Sequence, residues 1–215
     1  MRACLLLLFL VFVPWPAFAT TPGCPARGDG GEWDVSCFMV KDGVRALRPQ
    51  YLHKLKFKKS GKAVILIENP REVVAVDRRG RVVVPGIYHA GDFDYPSAPR
   101  GVARFESNGK CGFFQSRTFR ILVPAEYDHC HSFHDGETAT ACKDCENYCT
   151  EVECQDSVMV GGRGFNFDAK GQLLRSYDVG GLDRICPHGI EKLIKEGRYR
   201  YLKCNDDPHG PFRLQ

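Results

Sequence analysis

The stretch REVVAVDRRGRVVVPGIYHAGDF (71–93) returns, displaced by 39 residues, as KCGFFQSRTFRILVPAEYDHCHSF (110–133). Arg81-Val82-Val83-Val84-Pro85 falls on Arg120-Ile121-Leu122-Val123-Pro124, and Tyr88 falls on Tyr127. A short apolar run follows each copy, RGVARF (100–105) after the first and GETATAC (136–142) after the second. Every piece is short, β-branched or aromatic, and bounded by Gly, Asp or Pro, which is strand-and-turn chemistry. A fixed period of this length signals one supersecondary unit, repeated so that neighbours bury each other's apolar faces. The expected fold is therefore all-β: stacked hairpin or meander repeats, with at most one short helix near the C-terminus.

A degenerate third copy lies in GRGFNFDAKGQLLRSYD (162–178), where Asp168 and Gly171 take the places of Asp77 and Gly80. The second copy has Ser116 and Phe119 there. From Phe119 to Gly171 the step is 52, which exceeds the period by 13, the length of CKDCENYCTEVEC (142–154). That cysteine stretch reads as an insertion between units. A weak earlier unit is expected near 37–57, where Pro49 and Tyr51 echo the Pro–Tyr pair. Repeat-like units thus fall near 37–57, 71–105, 110–141 and 162–178. In GIEKLIKEGRYRYL (189–202), Ile190–Ile194 reads as a helical turn and Arg198–Leu202 as a strand.

The first nineteen residues, MRACLLLLFLVFVPWPAFA, combine one Arg, a short apolar run and Ala17-Phe18-Ala19. This is the pattern of a secretory signal peptide (1–19), and the run is too short and too proline-broken for a bilayer span. Residues 20–215 are then expected to form a single β-repeat domain, exported to the periplasm or outside the cell, with no transmembrane segment after cleavage. Cleavage removes Cys4 and leaves ten cysteines: Cys24, Cys37, Cys111, Cys130, Cys142, Cys145, Cys149, Cys154, Cys186 and Cys204. An even number in an oxidising compartment predicts five disulfides. A hairpin turning at His134-Asp135-Gly136 brings Cys130 roughly opposite Thr140, Ala141 or Cys142, which suggests a Cys130–Cys142 bridge. Cys24 with Cys37 and Cys186 with Cys204 are the local pairings expected to staple the two ends.

The unit at 101–141 resembles the WG-repeat family, whose pattern falls here on Gly109, Lys110, Gly112, Phe113, Pro124, Tyr127, Asp128, Phe133, Gly136 and, one place late, Ala139. Cys111 stands where that family carries tryptophan. The unit at 71–105 matches moderately and the third poorly. The resemblance implies stacked β-hairpins and meanders, and members expected to bind partners or ligands.

Composition fits a globular chain: 43% hydrophobic, 26% charged, net charge +4. The basic stretch HKLKFKKSGK (53–62) alternates Leu55 and Phe57 with lysines and reads as a strand with a solvated lysine face; nucleic acid is not expected as a partner. Cys142-x-x-Cys145 offers two further chemistries, half of a zinc site or a thiol–disulfide centre. The spacings after Cys142 do not repeat, and Asp144 and Glu146 work against a thiolate. No nucleophile elbow, zinc-protease helix or P-loop is present. The acidic and aromatic residues Asp92, Phe93, Asp94 and Tyr95, in a loop ending in two prolines, form the candidate binding site. The expected function is a non-catalytic binding or interaction module, without cofactor or metal, for a protein or an envelope or surface partner. A periplasmic thiol–disulfide protein using Cys142 and Cys145, or a metal-binding protein, is the alternative.

Overall fold

The computed structural model describes residues 24, 33–89, 98–131, 138–151, 154, 157–196 and 199–205. The expected leader, the Asp92–Tyr95 loop, and Phe133 and Gly136 of the motif lie outside them. The described chain is all-β. Strand β1 (Trp33–Asp34) precedes a hairpin of β2 (Phe38–Lys41) and β3 (Val44–Leu47). Three antiparallel meanders follow. The first is β4 (Lys62–Asn69), β5 (Arg71–Asp77) and β6 (Val82–Val84). The second is β7 (Val102–Ser107), β8 (Lys110–Gln115) and β9 (Arg120–Tyr127), which runs on into β10 (His129–His131). The third starts with β11 (Ala139–Lys143) and leaves for a hairpin of β12 (Glu146–Cys149) and β13 (Ser157–Val160). It then resumes with β14 (Arg163–Phe167) and β15 (Leu173–Asp178). One helical turn, α1 (Leu182–Ile185), leads to the last hairpin, β16 (Ile190–Glu196) and β17 (Tyr199–Cys204). The 39-residue period is thus one three-stranded meander.

Strand β5 shows why the units stack. Its run Val73–Val76 is apolar on both faces, the pattern of a strand covered on both sides. Val74 and Val76 enter a cluster with Ile65, Ile67, Phe38 and Leu47, while Val73 and Ala75 enter a second with Phe105, Phe114 and Phe119. Period two sends alternate residues to opposite layers. A third layer joins Phe113, Val123 and Tyr127 to Ala139, Ala141 and Phe167 of the following unit.

The turns between second and third strands repeat in atomic detail. Asp77 Oδ1 accepts the N–H groups of Arg79 and Arg81 at 2.9 and 3.0 Å. Asp168 Oδ1 does the same for Lys170 and Gln172 at 2.9 and 2.8 Å. Each turn closes on a left-handed glycine, Gly80 (φ 79°) or Gly171 (φ 81°). A side chain there would also collide: a Cβ on Gly80 would lie 3.0 Å from the Leu47 carbonyl oxygen, and one on Gly171 2.8 Å from that of Leu122. Each glycine turn is therefore the seam at which a unit leans on the strand before it. In the middle unit Phe119 holds the same left-handed place at φ 59°, buried in the cluster that contains Val83. Its ring stacks on Phe114 at 5.9 Å, which sets apolar contact against the cost of a left-handed bulky residue.

Several expectations are corrected. Cys130 pairs with Ala141 across the β10–β11 ladder, one residue away from Cys142. One residue of offset turns two side chains to opposite faces of a sheet, so Cys130 bonds Cys111 of β8, and Cys142 bonds Cys145. The local pairings hold, Cys24–Cys37 and Cys186–Cys204, and Cys149–Cys154 completes five. Residues 53–62 do not form a strand until Lys62: Pro49–Lys54 is a 3-10 helix and 55–58 is extended but unpaired in any sheet. Leu55 and Phe57 still turn inward, so the burial alternation is right and the ladder is absent. Ile190–Ile194 is strand and not helix, paired with β17, and the helical turn sits earlier at α1. The segment 37–57 supplies a two-stranded hairpin in place of a full unit.

The cysteine stretch is indeed added to the repeat, but inside the third unit. Units one and two join their first strands by Pro70 and by Asn108-Gly109, whereas residues 144–162 separate β11 from β14. The added hairpin pairs β12 with β17 and makes a separate sheet, β13-β12-β17-β16.

Candidate functional site

Among the described residues an open cleft of about 790 Å³ lies where four segments of the chain converge. The β2–β3 hairpin contributes Gly43 to Arg45, the start of β5 Arg71 to Val73, and the β7–β8 turn Glu106 to Asn108. Its fourth wall is the segment Pro85 to His89, leaving β6. That segment is positioned by backbone: Ile87 N–H donates to the Val73 carbonyl at 2.8 Å, and Tyr88 N–H to that of Arg104 at 3.1 Å. Gly86 allows the approach, because a Cβ there would lie 2.4 Å from the Glu106 carbonyl oxygen.

One ion pair ties the cleft's walls. Glu72 accepts from the Arg45 guanidinium at 2.5 Å and from the Gly86 N–H at 3.1 Å, so one carboxylate ties two walls together. The Tyr88 ring is 53% exposed and lies under the Arg104 guanidinium, 4.0 Å from its centroid. Arg104 also donates to the Cys130 carbonyl at 2.7 Å. Burial lowers its pKa and Tyr88 opposes that shift. Tyr88 is thus a fixed, half-open aromatic surface with an apolar floor of Val44, Val73, Val82 and Ile87 beside it. Such a combination suits recognition of a partner with both polar and apolar parts.

The equivalent Tyr127 is only 9% exposed. Its ring packs edge-on against Phe165 and Phe167, at 5.2 and 5.6 Å, and Lys143 of the next unit lies over it. The same repeat position therefore serves the core in one unit and faces the cleft in another. The sequence pairs these two tyrosines, but gives no sign that only one is covered. Arg45, Glu72 and Glu106 carried no sequence signal either, since they meet only through the stacking of separate segments.

The sequence-nominated loop Asp92–Tyr95 lies outside the described residues, although Tyr88 and His89, just before it, are in the cleft wall. All ten nominated cysteines are in disulfides. Cys142 is fully buried and Cys145 nearly so, packed with Met159 and Val179. Among the described residues no group of three or more His, Cys, Asp or Glu is placed to hold a metal ion.

A second polar group lies where the added hairpin meets the repeats. His129 and His131 share one face of β10, as their flanking of Cys130 predicts, and both are half-buried. His131 Nε2 is 3.2 Å from Asn147 Oδ1 and 3.5 Å from Ser157 Oγ. Burial lowers the His129 pKa; Asp128 and Glu146 oppose this and Arg200 and Lys110 add to it. Glu146 receives the Tyr148 hydroxyl, Arg200 and Lys195 (3.5 Å), and its pKa is lowered first by the tyrosine's hydrogen bond. This network joins β10, β12, β13, β16 and β17, and its charges are consumed in holding them together.

Comparison with protein-family models, with curated proteins and with solved structures finds no match to this chain. Five disulfides fit a protein of an oxidising, extracytoplasmic compartment. Among the described residues no helix is long and apolar enough to cross a membrane.

Proposed function

We propose that the chain is an exported repeat protein of the WG-repeat type that binds a partner, without catalysis, through the cleft at Tyr88. The observation that carries this reading is the half-open Tyr88 ring, held by Arg104 beside an apolar floor, with the Arg45–Glu72 ion pair fixing one wall. A site so arranged offers contact area with little rearrangement on binding. The motif residues act in a manner that suits the resemblance: Lys110 pairs with Asp128, and Tyr127 and Phe113 fill the core. Cys111, in the tryptophan's place, exchanges ring packing for a bond to Cys130. The thiol–disulfide alternative is weakened by the burial of both Cys142 and Cys145, since exchange requires an attacking thiolate to reach a sulfur.

Tyr88→Ala tests the reading, because the exposed ring can be removed without opening a core cavity. Immobilised wild-type protein should retain a defined protein or glycan from an envelope extract, and Tyr88→Ala should lose it by about tenfold or more, as a truncated aromatic anchor does. Equal retention by both, with an unchanged melting curve for the variant, refutes the cleft as the site.

A further inference from the structure

At the opposite ends of the same strands lies a surface of another kind. Strand β5 starts at Arg71 in the cleft and ends at Asp77, about 20 Å away by strand rise. Around that far end the fold gathers three loops: residues 53–62, the turn 78–81 and the turn 116–120. They touch through their own side chains. The Arg78 guanidinium lies 5.6 Å from the Phe57 ring centroid, and the Lys58 ammonium 5.6 Å from that of Phe119. Leu52 packs against Gly80, and a Cβ on Gly61 would lie 3.3 Å from Arg78 Nε.

Eight exposed cations sit on these loops: Lys56, Lys58, Lys59, Arg78, Arg79, Arg81, Arg117 and Arg120. No acidic residue occurs within 53–62, 78–81 or 116–120. Asp77, which begins the 78–81 turn, is buried and already bound to Arg81. The whole chain carries only +4, so the remainder of the molecule is net acidic. Charge is therefore segregated to one rim. Like charges held this close repel one another, and an anionic partner relieves that repulsion.

We infer that this rim docks the protein on an anionic lipid surface. Two observations favour a charged surface over nucleic acid. The rim's phenylalanine rings, Phe57 and Phe119, lie under cations and within the core, so neither is an open platform for stacking on bases. The cations also come from three separate segments, so a broad partner meets them together better than a strand seated in a groove. Attachment of this sort is electrostatic and is screened by salt. The inference stands whether or not the Tyr88 cleft binds a partner.

Sedimentation with vesicles tests it, comparing phosphatidylglycerol–phosphatidylcholine mixtures with phosphatidylcholine alone. The full chain should bind the anionic vesicles at low salt, release as salt rises, and ignore the neutral ones. Lys59→Glu with Arg79→Glu should weaken binding at least about tenfold. Lys41→Glu with Lys192→Glu makes the same change in net charge at exposed sites away from the rim and should weaken it far less. Equal loss in the two double variants, binding to neutral vesicles, or binding to heparin or DNA without binding to anionic vesicles each overturns the inference. A melting curve for each variant separates loss of binding from loss of fold.

Discussion

The repeat stack and the added lobe solve the problem of stability differently. The stack buries nine, eight and eight residues in its three apolar layers, and single strands such as β5 serve two layers at once. The lobe built from β12, β13, β16, β17 and α1 gathers only four buried residues in its own cluster: Tyr148, Val160, Cys186 and Leu202. Its outer strand leaves Ile190 and Leu193 exposed. What it lacks in core it replaces with covalent ties, since Cys149–Cys154 and Cys186–Cys204 lie within it and Cys142–Cys145 marks its junction with the stack. Small cores need such staples because too little apolar area leaves water to offset the entropy of ordering. The lesson is that one chain can be held by packing in one part and by cross-links in another, and the two parts should fail under different insults.

The largest effect should come from the packed side. Phe114→Ala removes a fully buried ring that meets Phe105 edge-on and Phe119 face-on, and should cost about 3–5 kcal/mol. Urea unfolding should show the loss in the stack's transition; a shift under 1 kcal/mol contradicts the shared-layer account.

Removing a staple should act next, and locally. Cys186→Ser with Cys204→Ser opens a loop with a sequence separation of 18 and should cost about 3 kcal/mol. Amide exchange should accelerate in 146–149 and 199–204 while β4 and β5 stay protected. Cys142→Ser with Cys145→Ser opens a separation of only 3 and should cost less, about 2 kcal/mol. If the shorter bridge proves the more costly, loop closure is not what these bonds supply.

The smallest effect concerns acid. Folding lowers the His129 pKa, so below about pH 6.5 the unfolded chain takes up a proton that the folded chain resists. Stability present above that value should therefore decline as pH falls through the folded pKa. His129→Gln should flatten this part of the curve, read as the urea midpoint at about pH 7.5 and about pH 5.5. The depressed carboxyls Asp77 and Asp128 contribute their own loss only below about pH 3.8. An unchanged slope in the variant removes His129 from the joint between the two parts.

How much of this was legible in the residues follows from how local each determinant is. The 39-residue period and the Asp-x-x-Gly turns are local, and they give the meanders and the turn chemistry; that the cysteine stretch is added shows in the period, but its place inside the third unit and not between units does not. Cys24–Cys37 and Cys186–Cys204 are near neighbours and were readable for the same reason. Cys130 was misassigned because a hairpin fixes its neighbour only to within a residue, and one residue decides the face. Residues 190–194 were misread because Ile-x-x-x-Ile spacing suits a helix while β17, found only by folding, imposes a strand. The cleft was illegible. Arg45, Glu72, Tyr88 and Glu106 are brought together by stacking alone, and the loop nominated from sequence begins just beyond them.

The seams between units carry one more consequence. At two of them a bare glycine meets a leucine strand, Gly80 with Leu47 and Gly171 with Leu122; at the third a phenylalanine shares its layer with a valine. Bulk has moved from one side of the joint to the other. A cassette cut out at its own strand boundaries would take the key from one lock and the lock from another. Phenylalanine set against leucine would jam, and glycine set against valine would rattle. The three copies are alike as folds, yet each fits only the neighbour it has, so their order is as much a part of the molecule as their shape.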